Sequence, residues 1–386
     1  MFSMITITII ERLQTWSNGN NMFIPLLYYR LVGNSLTLLA NSQNVPNPQL
    51  DDSVCNGLVV RKELSTMTSS EWNRFASANR IMYQRGWFTG LAQIHNDYAM
   101  EIHGSGFFFP WHRRFVTHYQ LLLQRIDPNI VIPYWDWTSN WNAPERNIAL
   151  SPSMFGGNGR GSQRCVRDGI SANWERTLPS SQCITRNYRN GNTPGPFWPP
   201  DAVGQVISQN TRFSTFSRNI ENGCHGNVHI GIGGDFLEMW APNDPLFFMH
   251  HAMVDRIWSV WQEANQRRYN DISSTTFDGN PIDMNSILPY YNEPISMSIS
   301  MRSSGHCYTY DNLATSSFRD LRTKNSNNTY SNGDRIPIKH CKDIPEQHYP
   351  TVVINNKTAM FNFDKDVVDN MNAFVRKVVN NLSGCK

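Results

Sequence analysis

The chain has 386 residues, 12% of them aromatic, and its 34 basic and 31 acidic side chains leave a formal net charge of +3. This length allows one large domain with a smaller additional segment, and the aromatic content is typical of a globular protein with a buried core. A charge so close to balance gives no basis for nucleic-acid binding. The chain lacks a run of about 20 apolar residues, so we predict no membrane-spanning helix.

The first 50 residues are interpreted as a leader that precedes the folded domain. FSMITITII is a short apolar run without a basic start, and LVGNSLTLLANS is a second such run. Neither has the basic, apolar and small-residue regions that together make a signal peptide. We therefore predict that residues 1–50 are either disordered or an error in the gene prediction.

A first group of three histidines lies in HNDYAMEIHGSGFFFPWHRRF: His95, His103 and His112. Thr68 and Glu71 form a capping-box pattern, which predicts a helix that leads towards His95. Pro110 predicts the start of another helix with His112 in its first turn.

The segment 138–224 is rich in Gly, Pro, Ser and Asn, as in SPSMFGGNGRGS and NTPGPFWPP. This composition predicts a long insertion that runs over the surface and shapes an entrance.

A second group of three histidines follows this insertion: His225, His229 and His251. The first two are four residues apart, so on a helix they share one face and can hold one ion. Asp244 and Pro245 predict a helix start, as N-cap and first helical residue, before LFFMHHAMVDRIWSVWQEA. His251 lies nearly two turns into that helix. Asp255, four residues later, is placed either to support a ligand or to pair with Arg256.

The chain ends in a tail, residues 312–386, with a polar, Asn-rich start. Within it TVVINNKTAMFNF alternates like a strand, and DVVDNMNAFVRKVVNNL has helical periodicity.

Seven cysteines are spread along the chain without a CxxC pair. They predict disulfides if the chain is secreted, with one cysteine left over and the pairing open. Asn-x-Ser/Thr sequons at Asn327, Asn356 and Asn381 give this interpretation weak additional support.

The two histidine groups together predict a metal site that does chemistry. Neutral imidazole binds copper, zinc, iron and nickel. Three imidazoles without an evident cysteine or carboxylate ligand leave an open position on the metal, which indicates chemistry or gas binding rather than a structural site. Two helix pairs that each offer three imidazoles describe a four-helix core with the site between the helices.

Four stretches of the chain carry a resemblance to a known family: HGSGFFFPWHRRF, VIPYWDW, HGNVH and APNDPLFFMHHAMVDRIW. With them the chain resembles the type-3 copper proteins, which comprise tyrosinases, catechol oxidases and molluscan hemocyanins. The resemblance covers residues 55–311 and ends at Tyr308-Thr309-Tyr310, which fits the Tyr-x-Tyr motif at the end of the family's catalytic domain. It implies a mainly α domain over 51–311, with a binuclear copper site in a four-helix bundle, long irregular loops and a small C-terminal extension.

The resemblance also implies two copper ions and their ligands. The first copper would be bound by His95, His103 and His112, and the second by His225, His229 and His251. The family's ligand is the second member of the His250-His251 pair, so we expect His250 to be a core residue. We expect structural roles for the remaining histidines that match no motif: His118, His306, His340 and His348.

Four further positions are expected at the site by resemblance. Glu221, four residues before His225, resembles the family's glutamate that holds a water near the second copper and supplies a base. Many tyrosinases have Asn where this chain has Gly226, so phenol hydroxylation is expected to be weak. Glu238 matches a position that often gates the site and is predicted to favour amine-bearing substrates, unless it points to solvent or pairs with an arginine. Phe247 is a candidate wall of the pocket.

These features predict a secreted or vesicular phenol oxidase that converts ortho-diphenols to ortho-quinones with O2, with monophenol hydroxylation as a lesser activity. Its partners are a phenolic small molecule and O2. An o-aminophenol oxidase on the same site and a hemocyanin-like O2 carrier are the alternatives. The carrier is disfavoured because Glu101, two residues before His103, excludes the Cys-x-His thioether of some family members. The tail is short for a removable lid, and we expect it to restrain activity modestly or not at all.

Overall fold

A computed structural model of the chain describes residues 29–32, 35–38, 45–50, 55–311, 345–355, 358, 361 and 363–383. The chain forms two compact units, Met1–Asn44 and Val45–Lys386. In the first unit, strands β1 (Tyr29–Val32) and β2 (Ser35–Leu38) pair antiparallel. The rest of the predicted leader up to Asn44 lies outside the described residues.

The second unit is mainly helical, as predicted. Its helices are α1 (Ser69–Gln84), α2 (Trp87–Asp97), α3 (Ala99–Ile102), α4 (Phe108–Gln124), α5 (Pro200–Gln209), α6 (Phe213–Ile220), α7 (Gly226–Ile232), α8 (Leu246–Glu263) and α9 (Lys365–Leu382). Its strands are short: β3 (Val59–Arg61), β4 (Glu175–Arg176), β5 (Gln182–Cys183), β6 (Ser274–Thr275), β7 (Pro281–Ile282) and β8 (Tyr308–Tyr310). The pairs β4–β5 and β6–β7 are antiparallel, and β3–β8 is parallel.

Local sequence signals set the start of α1 and α2. The Thr68 side chain accepts the Glu71 N–H at 3.2 Å, and the Glu71 carboxylate accepts the Thr68 N–H at 2.8 Å. This reciprocal capping confirms the predicted helix start. Gly86, at a φ of 70°, supplies the left-handed residue that separates the two helices.

Helices α4 and α8 pack against each other at the centre of the unit. All residues of α8 from Leu246 to Gln262 are buried, and so is nearly all of α4. A helix that is buried all round belongs in a core. Helix α4 begins at Phe108, two residues before Pro110, and α8 begins one residue after Pro245. The Asp244 carboxylate still accepts the Leu246 N–H, at 3.1 Å.

A π-type turn, Glu221–His225, precedes α7 and replaces the single helix predicted for His225 and His229. The turn is kinked at Gly223, with φ −97° and ψ −107°. A Cβ atom at this position would lie 2.8 Å from the Trp198 ring, so only glycine allows the close approach. Turns of this type occur often at functional sites.

The prediction of a surface loop for 138–224 is wrong for much of that segment. Phe155, Val166 and Phe197 are buried in the main core, and α5 and α6 lie within the segment. Cys165 and Cys183 form a disulfide there. Aromatic and branched residues among the glycines account for the packing, because they bury apolar area that a solvated loop would expose.

The segments that precede and follow helices α1 to α8 in sequence pair with each other as β3 and β8. Next to this pair, Cys55 and Cys307 form a disulfide. Next to this pair, the Asp255 carboxylate accepts the hydroxyls of Tyr308 and Tyr310, each at 2.5 Å, and the Arg113 Nε–H at 2.6 Å. Asp255 therefore links α8 to α4 and β8. These contacts differ from the two predicted roles, which were support of a metal ligand and an ion pair with Arg256.

The tail packs back on the bundle. Helix α9 confirms the predicted helical segment, with Asp364 as N-cap. The strand predicted from TVVINNKTAMFNF does not form in residues 351–355, which are irregular. Val352 N–H and C=O bond instead to the side chain of Asn372, at 2.8 Å each, so a side chain takes the place of a partner strand.

In the part of the chain that the structure describes, no helix has the length and apolar character needed to cross a membrane.

Candidate metal centre

Separate elements bring the first histidine group together. His95 lies in the last turn of α2, His103 follows α3, and His112 lies in the second turn of α4. All three side chains are buried, and one nitrogen of each lies within 4.8 Å of the others. The structure thus places these three predicted residues in one cluster.

The second group is assembled by the π-type turn, α7 and α8. One nitrogen of each of four buried histidines lies within 4.8 Å of the others: His225, His229, His250 and His251. The rings of His112 and His251 stack at 4.4 Å between centroids, so the two groups adjoin. The cluster contains one histidine more than the three that we predicted.

Backbone carbonyls orient most of these rings. The Nδ1–H groups donate to carbonyls as follows: His95 to Met239 at 2.6 Å, His103 to Ala99 at 3.0 Å, His112 to Phe108 at 2.8 Å, His225 to Glu221 at 3.0 Å and His229 to Phe236 at 2.6 Å. A carbonyl only accepts, so the proton sits on Nδ1 and the Nε2 lone pair is free for a metal.

The free Nε2 atoms converge in pairs. Those of His95 and His112 are 3.4 Å apart, and those of His229 and His251 are also 3.4 Å apart. The buried Nε2 of His225 has no hydrogen-bond partner among the described residues. Buried nitrogens without a partner are costly unless a ligand satisfies them. The donor set, made only of imidazoles, fits a metal such as copper or zinc.

Burial keeps the histidines of both clusters neutral. It lowers the pKa of His103 to about 4 and that of His229 to about 3. It lowers the pKa values of the other members well below 6.5, helped by neighbouring imidazoles. Neutral imidazole is the form that binds a metal.

His250 and His251 differ in where their rings point. The His251 ring stacks on His112 and directs Nε2 at His229. The His250 ring stacks on His225 at 5.3 Å, and neither of its nitrogens has a hydrogen-bond partner among the described residues. This geometry favours His251 as the ligand, as the resemblance implied.

Glu221 is buried beside the second cluster. Its Oε1 accepts the Gly104 N–H at 2.8 Å, and its Oε2 has no partner in the described part of the chain. Burial raises the pKa of Glu221 to about 8, although the Gly104 hydrogen bond and the charge of Arg218 both favour the carboxylate. An exposed glutamate in a loop is therefore excluded, and a carboxyl that titrates near neutral pH is suited to proton transfer.

Aromatic rings wall the clusters. Phe247 lies 4.1 Å from His251 and 5.1 Å from His95, between ring centroids. The Phe108 ring lies 4.9 Å from both the His112 and the His225 rings, between centroids. The rings exclude water, which strengthens electrostatic interactions inside the site.

A phenylalanine from the tail covers the clusters. The Phe361 ring is buried and lies 5.1 Å from the His229 ring and 6.4 Å from those of His103 and His225. Phe363 stacks on it at 5.1 Å. A Cβ atom at Gly226 would lie 2.4 Å from the Phe363 ring, so the glycine makes room for the tail.

Polar contacts hold this covering segment in place. Arg218 forms an ion pair with Asp364, whose N–H donates to the Asn222 side chain at 2.7 Å. Arg189 donates to the Thr351 carbonyl at 2.6 Å. The later residues of the tail therefore contact the site, although the expectation that the tail restrains activity modestly or not at all stays a prediction.

Glu238 is the predicted site residue for which the structure offers no role at the clusters. It is half-buried, which raises the pKa of its carboxyl, and the charges that act on it are those of Asp235 and Arg176. Its neighbour Met239 contacts the site through a backbone carbonyl that accepts from His95. Arg176 forms its ion pair with Asp235, so the gate role of Glu238 and its two alternatives stay predictions.

Sequence reasoning named Phe361 only as part of an apolar pair that could plug a pocket, and it missed Phe363, Arg218 and Asn222. The signal for Phe363 was the FNF triplet, which the strand interpretation absorbed. Arg218 lies three residues before Glu221 and Asn222 one residue after it. The π-type turn at Glu221–His225 brings both residues near the same opening.

The chain is similar to known proteins over most of this unit. Residues 79–264 match the family described as the common central domain of tyrosinase. Tyrosinase ustQ of Aspergillus flavus is 31% identical over 295 residues, which are 66% of this chain and 80% of that protein. A tyrosinase of Streptomyces antibioticus is 27% identical over 262 residues, 61% of this chain and 94% of that one.

Solved structures show the same fold. A polyphenol oxidase from Thermothelomyces thermophila superposes with a TM-score of 0.57 at 21% identity, covering 66% of this chain and 88% of that chain. A functional unit of octopus hemocyanin superposes with a TM-score of 0.50 at 19% identity, covering 70% and 72%. Both likenesses concern the fold alone.

Proposed function

The chain belongs to the tyrosinase family of copper-dependent phenol oxidases, and we propose that it holds two copper ions and oxidises ortho-diphenols to ortho-quinones with O2. The first copper is assigned to His95, His103 and His112. The second is assigned to His225, His229 and His251. The observation that carries this proposal is the pairwise convergence of neutral Nε2 atoms in two adjoining, buried groups.

Bound copper would transfer electrons from the diphenol to O2, and the protein would supply position and proton handling. Two ortho-diphenols and one O2 give two ortho-quinones and two waters. In five of the six assigned ligands, all except His251, a carbonyl-bound Nδ1 fixes the ring so that Nε2 is presented to the metal. The rings of Phe108 and Phe247 keep water out. Phenol protons have an acceptor in Oε2 of Glu221, since Oε1 is engaged by Gly104.

Diphenol oxidation is proposed as the main activity, with monophenol hydroxylation slower. Hydroxylation needs the phenol deprotonated first, and Gly226 has no side chain to hold a base beside the ring. Glu221 is then the one side chain assigned to that task, with a pKa of about 8.

One observation favours a second candidate, an O2-binding protein that shields its site from phenols. Phe361 occupies the approach to His103, His225 and His229, where the ring of a phenol would otherwise enter. An o-aminophenol oxidase remains a variant of the main proposal, because it would use the same site.

Copper content and oxygen uptake test the proposal. The chain should bind about two coppers, and the Phe361→Ala variant should consume O2 with catechol faster than with a monophenol. Reversible O2 binding without quinone formation in both forms would support the carrier. Zinc at full occupancy in cells supplied with copper would overturn the metal assignment. Oxidation of an o-aminophenol in the same assay tests the alternative of an o-aminophenol oxidase.

We also propose that the protein matures in an oxidising compartment, secreted or vesicular. The disulfides Cys55–Cys307 and Cys165–Cys183 support this, since such bonds persist where thiols are not kept reduced. Cell fractionation of a tagged chain, followed by thiol labelling, tests it.

A further inference from the structure

The segment of the tail that covers the site presents two chemical groups in fixed places. Phe361 sets an apolar ring against His103, His225 and His229. Three residues later, the Asp364 carboxylate pairs with Arg218. We call this place the anion seat and define it by His103, His225, His229 and Arg218. It thus accommodates an aromatic ring and a carboxylate that are joined by a short linker.

Arg218 lies at the opening of the site. It is in the last turn of α6, three residues before Glu221, and its side chain is 54% exposed even with the tail in place. Its ion pair with Asp364, three residues after the ring that lies against the clusters, places this cation beside the reaction space.

The position of the carboxylate is set by the backbone. The Asp364 N–H donates to the Asn222 side chain, and its Oδ1 caps α9 by accepting the Asp366 and Val367 N–H groups at 3.0 and 3.1 Å. An ordinary surface ion pair between long side chains lacks such constraints. Any occupant that replaces the tail meets Arg218 without its partner.

We propose that Arg218 makes this site selective for phenols that carry a carboxylate, which would pair with Arg218 in place of Asp364 once the tail has left. The proposal rests on the phenol oxidase function and deepens it. A preference for acidic phenols is opposite to the preference for amine-bearing substrates that was predicted from Glu238. The charges that act on Glu238 are those of Asp235 and Arg176.

Two variants separate charge selection from release of the tail. Asp364→Asn and Arg218→Gln both break the same ion pair, so both loosen the tail to a similar degree. The first leaves the Arg218 charge free for a substrate, and the second removes it. Copper-loaded full chains are assayed with catechol, dihydrocaffeate and dopamine, which share the ring and differ in charge. Arg74→Gln, which breaks a half-exposed ion pair with Asp127, is the control.

The ratio of kcat/KM for dihydrocaffeate to that for dopamine should be about threefold or more higher in Asp364→Asn than in Arg218→Gln, the range of a partly exposed charge pair. Catechol, which carries no charge, reports the change that is common to all three substrates in each variant, and Arg74→Gln should match the unmodified chain. Equal dihydrocaffeate-to-dopamine ratios in the two variants would overturn the proposal.

A binding measurement keeps this test independent of activity. Phenylpropanoate should increase amide hydrogen exchange in residues 361–368 by competing with the tail, phenethylamine should not, and Arg218→Gln should abolish the difference. Similar effects of the acid and the amine would refute the role of Arg218. If no form oxidises catechol while the exchange difference holds, the phenol oxidase proposal fails and the anion seat stands.

Discussion

His250 and His251 show how far a motif specifies a metal site and where coordinates are needed. The adjacent pair lies in one buried helix, and both rings reach the second cluster. Only the geometry separates them, because Nε2 of His251 faces His229 while the His250 ring stacks on His225.

We expect His251→Ala to bind about one copper per chain instead of two, because the second group loses a convergent nitrogen. His250→Ala should keep both ions and lose stability, since it leaves a cavity in the core. Elemental analysis with thermal unfolding checks both. Retention of two coppers in His251→Ala, with loss in His250→Ala, would reverse the assignment.

Gly226 has two consequences that a single substitution exposes. In the full chain Gly226→Asn should raise activity toward catechol, because its Cβ would collide with Phe363 and displace the tail. In a Phe361→Ala background the same change should raise the monophenol to diphenol ratio, since the amide can hold a base near the phenol. Steady-state rates for both substrates measure the two effects.

Gly231→Ala is the matched control, because a Cβ there meets Phe197 rather than the tail. Activation by Gly231→Ala equal to that by Gly226→Asn would show that any change in α7 opens the site.

Site residues were predictable where the chemistry of the site fixes their spacing in the sequence. They were not predictable where only the fold brings them to the site. The six ligand candidates follow from motif spacing and Glu221 from the family resemblance, and the structure brings them together. The role of Glu238 could not be decided from sequence, because a position counted along the chain between His229 and His251 does not say where its side chain points. Arg218 could not be found, since its importance depends on a tail segment distant in sequence.

The tail changes the accessibility of the site through a few residues. We expect Phe361→Ala to raise oxidation of catechol in the full chain by roughly tenfold or more, because an open state that is now a minor population becomes dominant. Oxygen uptake at equal copper content measures it. Val353→Ala, an exposed change in the same tail, should have no effect. Unchanged rates in Phe361→Ala would mean that the ring does not obstruct phenols.

The network at Asp255 joins α4, α8, β3 and β8. Asp255→Asn should lower the free energy of unfolding by about 3–5 kcal/mol, because Arg113 and Arg61 stay buried without their carboxylate. Urea unfolding followed by circular dichroism checks the value. Asp127→Asn, at the surface pair with Arg74, should cost about 1 kcal/mol or less. A similar loss in both variants would argue against a special role for burial.

Helices were the most predictable elements, because capping and periodicity are local properties. The capping box at Thr68 and the helical period of α9 both hold in the structure. The π-type turn at Glu221–His225 was missed, since its cause is Gly223 against Trp198, a contact between separate segments. Segment 138–224 was assigned to the surface by composition, although its few large apolar residues decide its place.

For the entire chain, the buried histidines link stability to pH. Their pKa values lie below 6.5 in the folded state, so below about pH 6.5 the unfolded state binds more protons and the free energy of unfolding falls. The slope is up to about 1.4 kcal/mol per pH unit for each histidine, until the folded pKa values near 4 and 3 of His103 and His229 are reached.

Glu221 acts in the opposite direction, because its raised pKa stabilises the fold at low pH and that contribution is lost as pH rises towards about 8. One carboxyl does not offset the set of histidines. Urea midpoints of the copper-free chain should therefore fall from about pH 7.5 to about pH 5. A constant midpoint over this range would contradict the buried, neutral state of the clusters.

The Cys55–Cys307 disulfide spans a sequence separation of 252 residues and encloses every assigned copper ligand. In mechanical terms it diverts tension. A force applied to the two ends of the chain would pass through the sulfur atoms and leave the enclosed bundle unloaded, while residues after Cys307 carry the full pull. Stretching would therefore detach α9 and Phe361 from the bundle first. The site would become accessible to substrate before the enclosed bundle unfolds.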